Sequence, residues 1–306
     1  LLLNGKIAAQ SLQKTLKATL DLRLEKGLRA PHLVAILLGN DGASATYVQA
    51  KMKACQEIGF KSTVLHLPEN TSQAELLAHI HALNADAQTD GILVQLPLPK
   101  HIAEKQVILA IDPKKDVDGF HPENLGRAVI HLPTFLPATP KGILELLNFY
   151  QIDVQGKHCV VVGRSHIVGT PISILLTRND KIGNCTVTLT HSHTQNLETH
   201  TRMADLLIVA IGKPNFITAD MIKPGAVVID VGLTRIADER KKSGYSLVGD
   251  VDFEGAKKIC SAITPVPFGV GPMTIYSLLH NTFLAYEKAQ DDLTEKGALE
   301  EPSVFF

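Results

Sequence analysis

Val161-Val162-Gly163-Arg164-Ser165-His166-Ile167-Val168-Gly169-Thr170-Pro171 follows on the apolar run Cys159-Val-Val-Val162 and lies where a strand turns into a helix. At such a turn Gly163 lets the chain bend tightly and Gly169 lets the helix approach the sheet. The free amides at the helix start then hold phosphate oxygens. Ser165 stands at the second glycine position of the G-x-G-x-x-G pattern, so the motif alone also fits an ordinary strand-to-helix turn. The next strand narrows the reading. An NAD-preferring site carries Asp or Glu at the end of that strand, roughly 20 residues on. Here the stretch is Thr188-Leu-Thr-His191-Ser-His193, without a carboxylate. Arg164 as a fixed cation and Ser192 as a neutral donor suit a 2′-phosphate, which points to NADP. Their plainer uses are a solvated loop cation and a helix cap.

Outward from this turn, apolar strands follow at residues 187–189, 206–211 and 227–231, the rhythm of a doubly wound sheet. The first third of the chain has the same alternation. Leu12, Leu16, Leu20 and Leu24 mark one buried face of a helix ending at Gly27. A continuous apolar strand, 33–38, a helix over 43–58 stopped by Gly59, and a strand over 62–67 come next. Ser72-Gln-Ala-Glu75 is a capping box opening another helix, and 91–96 is the strand after it. Strands separated by helices give mostly parallel sheets. The expected fold is α/β: two α/β domains with mostly parallel sheets, the second a Rossmann-like NADP-binding domain.

Seven of the 16 prolines fall between Pro97 and Pro140, which marks the passage from one domain to the next. Thr139-Pro140 has the N-cap and first-turn chemistry of a helix start. The expected domains are therefore 1–138 and 139–272. A closing helix over about 273–289 is expected to pack back onto the first domain, and a tail over 291–306 shows no clear periodicity.

Composition limits the partners. Thirty Lys+Arg against 31 Asp+Glu leave a net charge of -1, with no global field to hold a nucleic acid or an acidic membrane. Cys55, Cys159, Cys185 and Cys260 are widely spaced and read as reduced thiols. No apolar run reaches membrane-span length, and no signal-peptide pattern opens the sequence. A cytoplasmic protein with a small-molecule partner is expected. His79-Ile-His81 and His191-Ser-His193 lack a third ligand at a recognised spacing, so no metal is expected.

Tyr47 and Lys51 lie four residues apart on one predicted helix face, with Ser44 one turn earlier. An amine drawn into a cleft loses its hold on its proton and exchanges it near neutrality, and an aromatic face stacks on a flat substrate. The plainer use of such a pair is a surface contact. Gln95 ends an apolar strand before Pro97, at a carboxyl end where open α/β sheets place ligands. Its amide can bond the Lys51 amine or a substrate carbonyl. Asp116-Val117-Asp118-Gly119 offers two carboxylates, either one able to accept bonds from an amino-heterocycle, or to form an Asx turn at Gly119.

Tyr47-x-x-x-Lys51, Val94-Gln95-Leu96-Pro97-Leu98-Pro99, Lys115-Asp116-Val117-Asp118-Gly119, the 163–171 turn and Pro265-Val-Pro267-x-Gly269-Val270-Gly271-Pro272-Met273-Thr274 together resemble the bifunctional methylenetetrahydrofolate dehydrogenase/cyclohydrolase family. The resemblance runs in order from about Leu3 to Ala289. It implies NADP-dependent oxidation of 5,10-methylenetetrahydrofolate to the methenyl form and hydrolysis of that to 10-formyltetrahydrofolate. It makes Lys51 the general acid/base of the hydrolytic step, positioned by Gln95, with Tyr47 stacking on the aminobenzoate and Asp118 on the pterin. Ser44, Pro267, Gly271 and Thr274 would line the substrate. Gly163, Arg164, Ser165 and Ser192 would bind the cofactor phosphates, with Gly232 and Leu233 beside the nicotinamide. A homodimer is implied on the same ground.

Two positions depart from the family pattern. Phe268 stands where the family has glycine; at φ > 0 a bulky side chain strains the loop, and its ring can intrude on folate or nicotinamide. Ala138 stands where many relatives have Cys. Phe268 favours one alternative, an NADP- and folate-binding homologue with impaired or dehydrogenase-only activity. Retained Lys51 and Gln95 argue against a dehydrogenase-only form.

Overall fold

The computed structural model describes residues 1–241 and 244–300, without the side chains of Ala43 and residues 292–300. The chain forms two compact units: one comprises Gln13–Asn124 and the chain from Leu278 on, the other Leu1–Leu12 and Leu125–Ser277.

The first unit contains most of α1 (Gly5–Glu25), then β1 (His32–Leu38), α2 (Gly42–Ile58), β2 (Lys61–Leu67), α3 (Gln73–Ala85), β3 (Gly91–Val94), α4 (Glu104–Ala110) and the start of α5 (Pro122–Val129). Its sheet has the order β2-β1-β3, all parallel. β1 and β3 are buried along their whole length, which is why they read as continuous apolar runs rather than alternating ones. Ile36, Leu76, Ile80 and Ile92 are fully buried between this sheet and α3 and α4. Burying each such side chain stabilises the unit by about 1.5–3 kcal/mol. The helix starts follow local chemistry. The Asp41 carboxylate accepts from Ser44 N–H at 2.7 Å to cap α2, and the Ser72 hydroxyl accepts from Glu75 N–H at 3.2 Å to cap α3. In α1, Leu16 and Leu20 are buried while Leu24 is 37 % exposed, because the helix is already ending there.

The second unit holds α6 (Ala138–Phe149), β4 (His158–Val162), α7 (Gly169–Thr177), β5 (Thr186–Thr190), α8 (Leu197–Thr201), β6 (Leu206–Val209), β7 (Val227–Asp230), β8 (Thr234–Ala237), β9 (Tyr245–Val248), α9 (Phe253–Ala256), β10 (Ala262–Ile263) and the start of α10 (Val270–Glu300). Its five-stranded sheet has the order β10-β7-β6-β4-β5, all parallel, and β8 and β9 form a separate antiparallel ribbon. The strand order reverses between β4 and β6, the switch point at which such sheets bind nucleotides. Both units are thus α/β with parallel sheets.

Several expectations are revised. Thr139 does not cap α6: the helix starts at Ala138, and the Thr139 hydroxyl pairs with that of Thr274 at 3.1 Å. The proline-rich stretch contains α4 and α5, each short enough to fit between prolines. α10 runs beyond Ala289 to Glu300, while residues 301–306 of the expected tail lie outside the described residues.

Candidate active site

In the three-stranded unit, α2 places Ser44, Tyr47 and Lys51 at successive turns of one face. Ser44 is buried, Tyr47 is 38 % exposed and Lys51 only 9 % exposed. The Lys51 Nζ donates to Gln95 Oε1 at 3.1 Å. Gln95 sits one residue beyond β3, where its N–H donates to Ile36 O at 2.9 Å and its side-chain amide donates to Leu96 O at 2.6 Å. Those two bonds orient Oε1 toward the amine. Asp118 joins them because the chain before it lies along β3: Ile92 N–H donates to Lys115 O at 2.8 Å, and Ile92 and Asp116 form a parallel bridge. Burial pushes the Lys51 amine below its usual value, and the Asp118 carboxylate opposes that shift. Asp118 is itself pushed up to about 6, by burial first, with Lys51 opposing and Asp116 adding. Burial weakens the amine's hold on its proton and strengthens the carboxyl's, the direction a proton-transfer site requires.

The two candidate aspartates separate cleanly. Asp116 is buried and accepts from Gly119 N–H, His121 N–H and Asn124 Nδ2 at 3.2, 2.7 and 2.9 Å. It therefore holds the loop as an Asx turn. Asp118 is half-buried and makes no hydrogen bond among the described residues, so its oxygens are open to a ligand.

In the five-stranded unit, the β4–α7 turn is pinned by glycine. Gly163 has φ +112, and a Cβ there would stand 2.2 Å from Ala210 O; a Cβ on Gly169 would stand 1.8 Å from Gly163 O. Gly169→Ala is expected to destabilise the protein by about 1–3 kcal/mol through overpacking, measured as a lower urea midpoint. An unchanged midpoint would show that the turn can spread. Ser165, at the second glycine position, faces the helix start: its hydroxyl accepts from Val168 and Gly169 N–H at 3.2 and 3.4 Å. Parallel pairing of Val162 with Thr190 sets His191-Ser192-His193 beside this turn. Arg164 and Ser192 are exposed, and Arg164 makes no ion pair among the described residues. Ser192 caps no helix, since Asn196 occupies the N-cap of α8. Two neutral or cationic donors and no carboxylate at this strand end fit a nucleotide bearing a 2′-phosphate.

Gly232 and Leu233 leave β7 at the carboxyl edge of the sheet. Two carboxylates for which the sequence analysis offers no role fix the loops around them, and the first of these bonds Gly232 directly. Asp230 accepts from the N–H groups of Gly232, Asp250 and Val251 at 2.9–3.0 Å, and Asp250 accepts from those of Ile211 and Gly212 at 2.7 and 2.9 Å. Burial pushes Asp230 up to about 6. A Cβ on Gly249 would stand 1.9 Å from Asp230 Oδ2 and one on Gly232 2.4 Å from Asp250 Oδ1. Glycine close to each aspartate is the signal in the sequence. Pro267, Gly271 and Thr274 belong to this unit rather than to that of Lys51. In the same loop Phe268 adopts φ +82. A left-handed residue with a Cβ costs about 1–2 kcal/mol, and the Lys6 ammonium 5.6 Å from the ring centroid returns about 0.5–1 kcal/mol.

The architecture defines a dinucleotide-binding α/β protein that also carries a buried amine hydrogen-bonded to an amide, with a carboxyl group acting on it. Family models for the catalytic domain and the NAD(P)-binding domain of tetrahydrofolate dehydrogenase/cyclohydrolase match residues 3–118 and 137–290. The bifunctional protein FolD of Cytophaga hutchinsonii is 58 % identical over 284 residues, covering 93 % of this chain and 98 % of that one. The crystal structure of the bifunctional enzyme FolD, methylenetetrahydrofolate dehydrogenase/cyclohydrolase, from Campylobacter jejuni is 47 % identical with a TM-score of 0.88, covering 94 % and 99 % of the two chains. The Trypanosoma brucei N5,N10-methylenetetrahydrofolate dehydrogenase-cyclohydrolase, solved with NADP cofactor and inhibitor, is 38 % identical with a TM-score of 0.89, covering 94 % and 98 %. The chain belongs to the tetrahydrofolate dehydrogenase/cyclohydrolase family.

Proposed function

We propose that this protein oxidises 5,10-methylenetetrahydrofolate with NADP and hydrolyses the methenyl product to 10-formyltetrahydrofolate, in one-carbon folate metabolism. The buried Lys51–Gln95 hydrogen bond, with the open Asp118 carboxyl acting on the amine, carries this reading. NADP held by the residues named below would supply the hydride acceptor for the methylene carbon. The chain's part in that step is alignment and exclusion of water. In the hydrolytic step water adds to the methenyl carbon and the bond to one ring nitrogen breaks. Lys51 takes one proton from the attacking water and delivers a proton to the leaving nitrogen, the hydroxyl of the adduct gives its remaining proton to solvent as the formyl C=O forms, and Gln95 holds Nζ in place.

Asp118 accepts hydrogen bonds from the pterin, Tyr47 stacks on the aminobenzoate, and Ser44, Pro267, Gly271 and Thr274 line the substrate. Gly163, Arg164, Ser165 and Ser192 hold the cofactor phosphates, with Gly232 and Leu233 at the nicotinamide end. Domains of 1–138 and 139–272, a homodimer and a cytoplasmic location complete the proposal. No helix among the described residues is long and apolar enough to cross a membrane.

Purified protein is expected to reduce NADP when given 5,10-methylenetetrahydrofolate and to speed hydrolysis of the methenyl product. Reduction of NAD but not NADP overturns the nucleotide assignment. Binding of both ligands without turnover selects the reading in which Phe268 has silenced the site.

A further inference from the structure

In the five-stranded unit β7 and β10 are neighbours, with Val227 and Val228 paired to Ala262 and Ile263. The loop leaving β10 is tied to the end of β7. Asp230 N–H donates to the Thr264 hydroxyl at 2.7 Å, and Thr264 N–H donates to Val228 O at 3.1 Å. Gly232 and Leu233 therefore emerge beside the root of the loop that carries Phe268. The loop's far side is equally fixed. Lys6 N–H donates to Phe268 O at 3.2 Å, and Gly5 approaches Gly269 so closely that a Cβ on Gly5 would stand 1.7 Å from Gly269 O. Between these anchors Phe268 is held at φ +82 with its side chain 53 % exposed, and Leu233 is 38 % exposed. The Lys6 ammonium 5.6 Å from the ring centroid offsets only part of the cost of this backbone and leaves most of the ring open. Leu233 and Phe268 are thus exposed apolar side chains on the two loops that leave the carboxyl ends of the adjacent strands β7 and β10, an arrangement that suits a flat ring needing a dry face.

We propose that Phe268 is a specificity-determining contact for the nicotinamide ring of NADP, its phenyl group covering that ring from the β10 side while Leu233 meets it from the end of β7. The proposal rests on the cofactor reading of residues 163–165, 192 and 232–233. It assigns Phe268 to the nicotinamide half of the cofactor alone, so the adenine half binds with or without it.

The chain contains no Trp, so Phe268→Trp supplies a single indole reporter. Its emission is expected to change on titration with NADP or NADPH and to stay constant with 2′,5′-ADP, which lacks nicotinamide, while calorimetry shows that 2′,5′-ADP binds. Phe268→Gly, which the left-handed backbone accepts, is expected to raise the Kd for NADP about three- to tenfold, the range of one aromatic pair, with the Kd for 2′,5′-ADP unchanged. An indole silent to NADP, an equal response to both ligands, or an unaltered NADP Kd in Phe268→Gly overturns the contact while leaving the nucleotide site in place. Failure of the unsubstituted protein to bind 2′,5′-ADP removes the cofactor reading and this inference together.

Discussion

Lys51→Met is expected to slow hydrolysis of 5,10-methenyltetrahydrofolate by about 10²–10⁴-fold, the usual contribution of a positioned proton-transfer group, while NADP reduction from the methylene substrate continues. Methionine keeps the aliphatic volume of a side chain that is only 9 % exposed and removes the nitrogen that bonds Gln95 at 3.1 Å. Removing the ammonium ends the penalty of a buried charge but leaves Gln95 Oε1 without its donor, which costs about 1–3 kcal/mol, so the melting temperature is expected to fall modestly at most. The loss is read as the hydrolytic rate of folded protein, with NADP reduction as the internal control. A fully active variant would mean that another residue moves the proton.

The pH profile gives an independent check. Asp118, pushed up to about 6 by burial, is ionised above that value and neutral below it. As pH falls through 6 it loses the charge that supports the Lys51 ammonium and that, in the proposed role, would accept pterin N–H groups, so hydrolysis is expected to decline on the acid side. In Asp118→Asn the group cannot titrate. The remaining activity should lack that limb, and a limb that persists assigns it elsewhere.

The parts of this site that were legible in the sequence are those written by backbone demands. Gly163 and Gly169 stand where a side chain would strike Ala210 O and Gly163 O, and such a requirement leaves a glycine in the sequence. Helical spacing puts Tyr47 and Lys51 on one face of α2, and a strand end puts Gln95 within reach of the amine, as the Lys51–Gln95 hydrogen bond has them. Side chain to backbone bonds leave no periodic trace. Asp116 and Asp118 look alike in the sequence, and only the donors from Gly119, His121 and Asn124 show that the first is committed to the loop. Thr139 carried the chemistry of an N-cap, yet its hydroxyl is taken by Thr274, 135 residues away. Asp230 and Asp250 went unread for the same reason: their partners are amides of three loops that only the folded sheet brings together. Phe268 was visible as a departure from the family pattern, but its left-handed backbone was not.

Arg164→Ala is expected to raise the Kd for NADP about 10- to 100-fold, since a hydrogen bond to a charged group contributes about 1.5–3 kcal/mol, and to leave the Kd for NAD nearly unchanged. The asymmetry follows from the ligand, because only NADP carries the 2′-phosphate. It also follows from the strand end opposite, where Thr190-His191-Ser192-His193 provides no carboxylate to hold free ribose hydroxyls. Arg164 is exposed and makes no ion pair among the described residues, so its removal strands no buried partner and folding stability should stay within about 0.5 kcal/mol. An exposed cation is screened by salt. NADP affinity of the unsubstituted protein should therefore weaken with ionic strength more steeply than that of the variant. His191 adds a second readout: burial lowers its pKa first, and the charges of Arg164 and His193 lower it further. Its titration, followed by NMR in the empty protein, should move upward in Arg164→Ala. Equal losses of NADP and NAD affinity would show that Arg164 holds the shared pyrophosphate, and the preference for NADP would then have to come from Ser192.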